Sequence, residues 1–122
     1  MSPQIIITGL STQDYMGNKP QLIKEEILAA VLDIPKLKLT PKDVSFFLPQ
    51  DPTINGLMQD EVPIVILVEL LFEKEGRTYE VRKLMAKKIG KAFKKIVTWR
   101  TICKTEVAVK RFNPDKDGFW SE

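Results

Sequence analysis

The chain has 122 residues, enough to bury one hydrophobic core and too few for two ordinary domains, so we expect a single domain spanning residues 1–122. Hydrophobic residues make up 43% and charged residues 29%, as in soluble globular proteins, and no apolar run approaches the roughly 20 residues of a membrane helix. The absence of histidine excludes histidine acid–base catalysis, and the single cysteine suits a reducing compartment, so we expect no metal or other cofactor and a cytoplasmic location.

The first half of the chain has the pattern strand, helix, strand. Residues 4–8, Gln-Ile-Ile-Ile-Thr, predict a short strand, and the residues around it show no secretory signal. Asn18 resembles a helix N-cap, and the apolar spacing after it predicts a helix that ends before Asp33-Ile34-Pro35. Residues 44–48 predict a second strand. These elements form one βαβ unit over residues 3–49.

A polar stretch over residues 50–61 separates this unit from the rest of the chain. It contains Asn55-Gly56 between two apolar residues, which is a hairpin turn signal. Loops of this kind are free to carry functional residues.

The second half contains the two clearest patterns in the sequence. Ile64 to Phe72 is apolar at every position except Glu69, which predicts a strand buried on both faces. A turn over residues 73–76 follows, and Thr78 is the natural N-cap of a helix of about five turns. One face of that helix is apolar: Val81, Leu84, Met85, Ile89, Ala92, Phe93 and Ile96. The other face is basic: Arg82, Lys83, Lys87, Lys88, Lys91, Lys94 and Lys95.

A fourth strand and an aromatic tail complete the chain. Residues 105–112 alternate between apolar and polar side chains, as a half-buried strand does. Phe119 and Trp120 stand in the polar tail. They could close a gap in their own subunit, or line a pocket or a subunit contact.

The two halves together predict an α+β fold built from duplicated βαβ units, over residues 3–49 and 63–112. Right-handed crossovers place two helices on one face of a four-stranded sheet. The doubly apolar strand Ile64–Phe72 would then expose large aliphatic side chains on the other face. We therefore expect that face to be buried in an oligomer.

The net charge of +3 conceals an asymmetry between the halves. Residues 1–76 hold six basic and eleven acidic side chains, whereas residues 77–122 hold thirteen basic and five acidic ones. Most of the basic excess lies on the second helix. A solvated helix surface explains it, and nucleic-acid binding is not expected because no aromatic residues are interleaved with the lysines. The alternative function that the pattern leaves open is a non-catalytic, ferredoxin-like module that binds nucleic acid or an acidic partner through this helix.

The proline that opens each unit and the turn Glu75-Gly76-Arg77-Thr78 between strand and helix resemble the tautomerase superfamily. This family includes 4-oxalocrotonate tautomerase and macrophage migration inhibitory factor, and the chain is most similar to a small bacterial branch of it. The resemblance covers nearly the whole chain. It implies a homotrimer and an isomerase that tautomerises small 2-oxo or 2-hydroxy carboxylic acids without a cofactor.

The family's chemistry relies on the secondary amine of an N-terminal proline, which acts as a general base in an apolar pocket. The matching residue here is Pro3, but Ser2 precedes it and makes its nitrogen a non-basic amide. Three interpretations follow: the natural chain begins Met-Pro, processing removes Ser2, or the activity has been lost. The resemblance also implies that Lys74 and Arg77 bind the substrate carboxylate. For Arg77 the alternative is a helix-start residue paired to a nearby glutamate.

Overall fold

The computed structural model describes residues 3–50, 62–100 and 104–121. Its strands are β1 (Gln4–Thr8), β2 (Ser45–Phe47), β3 (Ile64–Phe72) and β4 (Thr105–Phe112), and its helices are α1 (Lys19–Leu32), α2 (Tyr79–Ile96) and the short α3 (Pro114–Asp117). The strand and helix predictions are confirmed, with β2 one residue shorter at each end than predicted. The predicted Asn55-Gly56 hairpin lies outside the described residues. Within the described ranges, no helix is both long and apolar enough to cross a bilayer.

The four strands form one mixed sheet in the order β2-β1-β3-β4. The two strands of each unit are adjacent and parallel, and the units meet through the antiparallel pair β1–β3. This confirms the predicted α+β fold. The ferredoxin-like alternative is wrong in topology, because that fold is built from split βαβ units whose two strands are not neighbours.

The core lies between one face of the sheet and the two long helices. Alternate side chains of β1 and β3 point into it, because successive strand residues face opposite sides. The fully buried positions from the sheet are Ile5, Ile7, Ile64, Ile66 and Val68. They pack against the apolar stripes of α1 (Ile23, Ile27, Val31) and α2 (Val81, Met85, Ile89, Ala92, Phe93). Thr78 caps α2 as predicted, with its hydroxyl accepting a hydrogen bond from the Val81 amide.

The opposite sheet face has no helix on it. Strand pairing places Phe47, Ile6, Leu67 and Ala108 side by side in one row across all four strands of this open face. Phe47 is 50% exposed, and Ile6 and Leu67 are half-buried. The strand predicted to be apolar on both faces therefore has one face in the core and one on the surface of the described chain.

A β-bulge interrupts the regular alternation of β3. The pairing of β3 with β4 shifts between Val68 and Leu71, and Leu70 has a φ of 60°. A leucine in this left-handed region is strained by its Cβ. The extra residue returns Leu71 to the buried face, where it is 1% exposed.

A buried ion pair ties the start of α1 to the end of α2. Asp14 lies in a short 3₁₀ helix, Thr12–Tyr15. Its Oδ2 accepts a hydrogen bond from Arg100 Nη1 at 2.7 Å, and its Oδ1 accepts one from the Trp99 indole at 2.8 Å. Both charged side chains are fully buried. Ser11 and Asp14 are therefore part of the interior, whereas Thr12 and Gln13 are exposed.

The C-terminal aromatics have different environments. The Phe119 ring packs edge-on against Phe72 at 5.4 Å and against Phe112 at 5.7 Å between ring centroids. Phe119 therefore closes a gap in its own subunit, which is the first of the two predicted roles. Trp120 is 78% exposed.

Candidate functional site

One end of the sheet collects the residues that the sequence singled out. Because β1 and β2 run antiparallel to β3 and β4, the starts of the first pair lie beside the ends of the second. Pro3 precedes β1 and is buried, and its carbonyl oxygen accepts a hydrogen bond from the Ser45 amide at 3.2 Å. Lys74 and Arg77 follow the end of β3. We call this edge the Pro3 end of the sheet.

A cleft of about 280 Å³ opens at this end, and we call it the Pro3 cleft. Its lining residues are Glu69, Leu70, Lys110, Arg111, Phe112 and Asp117. The β1–β3 register ends at Gln4 opposite Glu69, which lines the cleft, so Pro3 lies one residue along the chain from this pair. Leu70, which carries the bulge, lines the same cleft. Bulges commonly lie next to active sites, where they redirect side chains.

Two cations, Lys110 and Arg111, and two carboxylates, Glu69 and Asp117, line the Pro3 cleft, and Glu73 lies beside Arg111. Lys110 Nζ lies 3.8 Å from a carboxylate oxygen of Glu69, and Arg111 Nε lies 3.4 Å from one of Glu73. Both cationic side chains are 66% exposed. Ion pairs this exposed contribute little stability, so a bound carboxylate could exchange for either glutamate at small cost.

The turn that carries Lys74 is held against the loop after α1. Gly76 has a φ of 90°, and a Cβ built there would lie 3.3 Å from the Lys36 carbonyl oxygen. Glycine is required by both the conformation and the close approach. The Arg77 amide closes the turn by donating to the Lys74 carbonyl at 3.0 Å. The Lys74 side chain itself is exposed.

Arg77 is buried, and its guanidinium donates to backbone carbonyls. Nε and Nη2 donate to the Leu37 carbonyl oxygen at 2.9 and 2.6 Å, and Nη1 donates to the Phe72 carbonyl oxygen at 2.9 Å. The residue is 7% exposed. These contacts join the end of β3 to the loop after α1, and they favour a structural role. The acceptors of these hydrogen bonds are carbonyl oxygens and not the glutamates that the sequence suggested.

Asp43 places a fixed negative charge near the two predicted carboxylate-binding residues. Hydrogen bonds from the Thr40 amide and hydroxyl lower the pKa of Asp43, and the nearby charges of Lys74 and Arg77 lower it further. Burial lowers the pKa of Arg77, and Asp43 partly offsets this. Asp43 therefore offsets part of the positive charge of Lys74 and Arg77.

The sequence did not identify Lys110 and Arg111 as site residues. Their only signal was their place near the end of the predicted fourth strand, and this becomes informative once that strand is known to pair in parallel with β3. The structure places Pro3, Lys74 and Arg77 at one end of the sheet. Pro3 and Arg77 are buried there, whereas Lys74 is exposed. Across the described ranges, no group of three or more metal-ligating side chains occurs.

Comparison with known proteins finds solved structures that share this fold. No family model matches the sequence, and no curated protein matches it. Among solved structures, Pt0534 inactivated by 2-oxo-3-pentynoate is 19% identical, with 98% of this chain and 92% of that chain covered and a TM-score of 0.62. An asymmetric trimer of wild-type fused 4-OT is 15% identical, with the same coverage and a TM-score of 0.65. The macrophage migration inhibitory factor of Toxoplasma gondii is 14% identical, with 100% and 96% covered and a TM-score of 0.59.

These similar structures are tautomerase-superfamily proteins, and the likeness extends over nearly the whole length of both chains. Identities this low establish the fold. The tautomerase fold predicted from the proline-led strands and the Glu75-Gly76-Arg77-Thr78 turn is therefore confirmed.

Proposed function

We propose that this protein binds small 2-oxo or 2-hydroxy carboxylic acids in the Pro3 cleft and catalyses their keto–enol tautomerisation when the Pro3 nitrogen is free. The observation that carries the proposal is the position of a buried proline at the head of β1, one residue before the pair Gln4–Glu69, with Glu69 lining a cleft that has two exposed cations. The shared fold of tautomerase-superfamily enzymes supports it.

The reaction moves one proton and needs no co-reactant. With a free secondary amine, the Pro3 nitrogen accepts the proton of the enol hydroxyl, and the C=C bond of the enol becomes the C=O bond of the ketone. The protonated nitrogen then delivers the proton to the carbon that was the far end of the double bond. A C–H bond replaces the O–H bond, and the proline returns to its neutral state. Burial among apolar groups favours the neutral amine at physiological pH.

Lys110 and Arg111 are our candidates for binding the substrate carboxylate, because both line the cleft and both are exposed. An arginine fork matches a carboxylate in shape and charge. Lys74 remains a candidate for a second carboxylate, since its side chain is exposed at the same end of the sheet. Arg77 acts in this proposal by positioning the turn that carries Lys74.

The test compares two forms of the protein. One chain starts at Pro3 after removal of its initiator methionine, and the other retains Ser2. We expect the first to ketonise phenylenolpyruvate and to be labelled once, on the Pro3 nitrogen, by 2-oxo-3-pentynoate, the compound that inactivates Pt0534. We expect neither effect in the chain that retains Ser2, because its Pro3 nitrogen is an amide. A Pro3-initiated chain that is folded but neither turns over nor is labelled would refute the proposal.

We also propose that the open sheet face is buried in a homo-oligomer, a trimer as in the fused 4-OT structure, in a cytoplasmic protein. The row Phe47, Ile6, Leu67 and Ala108 supports this, because a contiguous apolar row in the centre of a sheet face marks an interface. Leu67→Asp places a charge in that row. We expect it to shift the protein to monomer in sedimentation velocity, whereas Lys83→Asp on exposed α2 leaves the assembly unchanged. A wild-type monomer at all concentrations would contradict the proposal.

A further inference from the structure

A second cleft lies between α2 and the start of β4, away from the Pro3 end of the sheet. Its volume is about 360 Å³, and we call it the lysine cleft. Its lining residues are Ala86, Lys87, Gly90, Lys91, Lys94, Thr105 and Val107. Thr105 and Phe112 are at opposite ends of β4, so the two clefts are separated by roughly 23 Å along the strand. The lysine cleft is therefore a separate site.

The charge of the lysine cleft is entirely positive. Lys87, Lys91 and Lys94 are spaced at i, i+4 and i+7, so they project from the same side of α2. No carboxylate is among the residues described as lining the cleft. The α2 lysines with ion pairs in the described ranges are Lys88, to Asp33, and Lys95, to Glu26. Like charges at these spacings repel each other, and an anion between them would relieve the repulsion.

Gly90 forms the part of the cleft wall between the lysines. Glycine is the poorest helix former after proline, and this one lies in the interior of a long helix. A Cβ at Gly90 would meet only the Val107 Cγ2, at 3.4 Å. This is a van der Waals contact that a small side chain can make, so packing alone does not require glycine here. The missing side chain leaves space in the cleft that a ligand can occupy.

The hydroxyl of Thr105 adds a polar group to the floor of the cleft. Thr105 Oγ1 is buried and has no hydrogen-bond partner within the described part of the chain. Buried hydroxyls are usually paired, so the hydroxyl of Thr105 is a polar group with which a ligand in the cleft can form a hydrogen bond.

We propose that the lysine cleft binds a phosphate-bearing small molecule. Three lysines on one helix face match an anion with more than one negative charge, and a phosphate ester or diphosphate carries that charge at neutral pH. Lysine ammonium groups bind phosphate as point charges with several donors, which suits a cleft without an arginine fork. The concave shape between helix and strand favours a compact anion. A polynucleotide would instead need an extended basic face with stacking aromatics.

The proposal is tested by titrating the full-length protein with pyrophosphate at low ionic strength and following amide shifts by NMR. We expect the largest shifts at Gly90 and Thr105 and in the helix turns of Lys87, Lys91 and Lys94. The triple variant K87Q/K91Q/K94Q should bind pyrophosphate at least about tenfold more weakly. The matched control K83Q/K88Q/K95Q makes the same charge change on the same helix outside the cleft, and we expect it to keep the wild-type affinity within about threefold.

Three outcomes would overturn the proposal. The first is the absence of saturable pyrophosphate binding by the wild-type protein. The second is equal weakening in both triple variants, which would mean general attraction to a basic helix. The third is tighter binding of a DNA or RNA oligonucleotide than of pyrophosphate, with a loss of affinity that is the same in both variants. A cleft-specific loss of pyrophosphate binding supports the proposal, and because it does not involve the Pro3 cleft, it is independent of tautomerase activity.

Discussion

Replacing Arg77 by lysine separates the two roles that this residue could have. If Arg77 is structural, the variant loses the fork that joins the Leu37 carbonyl to the Phe72 carbonyl. Lysine carries the same charge but is a single point donor, so it can satisfy at most part of this arrangement. If Arg77 binds the substrate carboxylate, the variant instead keeps its stability and loses affinity for substrate.

The expected magnitude follows from the acceptors left behind. A buried acceptor without its donor costs about 1–3 kcal/mol, and Arg77→Met leaves two such carbonyls. The methionine variant no longer buries a charged guanidinium, so part of this destabilisation is offset. We expect a net destabilisation of about 2–4 kcal/mol for Arg77→Met and roughly half of that for Arg77→Lys. At a urea dependence of about 1.5 kcal/mol per molar, the unfolding midpoint of the methionine variant falls by roughly 2 M.

The assay is urea unfolding followed by ellipticity at the helical band, with kcat and KM measured on the Pro3-initiated chain. Arg111→Lys is the matched control, because it makes the same replacement at an exposed position that lines the Pro3 cleft. We expect Arg111→Lys to raise KM with stability changed by less than about 0.5 kcal/mol. The structural assignment of Arg77 would be refuted if its variants unfolded at the wild-type urea concentration while KM rose.

Three further predictions follow from other parts of the described chain. Asp14→Asn removes the negative partner of the buried Arg100, and it should lower the free energy of unfolding by about 3–5 kcal/mol in urea titrations. A change below about 1 kcal/mol would mean that this ion pair does not hold the two helix ends together. Burial, and then the charge of Asp14, raise the pKa of Tyr15, so in Tyr79→Phe the one remaining tyrosine should ionise above the usual range when absorbance at 295 nm is followed with pH. A raised pKa in the folded state means that folding disfavours the Tyr15 phenolate. The stability that Tyr15 contributes is therefore complete below the ordinary tyrosine pKa and declines as the pH rises beyond it. Tyr15→Phe should abolish this pH dependence. Gly90→Ala should raise the free energy of unfolding by about 0.5–1 kcal/mol, because helix propensity improves and the added methyl only touches β4; a destabilised variant would show that packing requires this glycine.

The secondary structure was predictable because its signals are local. Ile64–Phe72 matches β3 at both ends, since a run of branched apolar residues bounded by proline and a charged turn has few other conformations. Thr78 marks the start of α2 for a similar reason, because a hydroxyl at the N-cap satisfies an amide within its own turn. The duplicated arrangement of elements followed from these patterns, and the resemblance carried by the proline-led strands and the Glu75-Gly76-Arg77-Thr78 turn implied the tautomerase fold.

The pairing of distant segments determined the rest. Leucine is not a residue type that predicts a bulge, and the conformation of Leu70 depends on how β3 pairs with β4. Arg77 looked like a ligand-binding or surface arginine until the loop carrying Leu37, forty positions earlier, was placed beside it. Lys110 and Arg111 became site residues only when parallel pairing brought the end of β4 to the Pro3 end of the sheet. The sequence by itself determined which segments form helices and strands, because those preferences act within a few residues. Only the tertiary structure decided which polar side chains are buried and which charges share a cleft, because both depend on contacts between residues far apart in the chain.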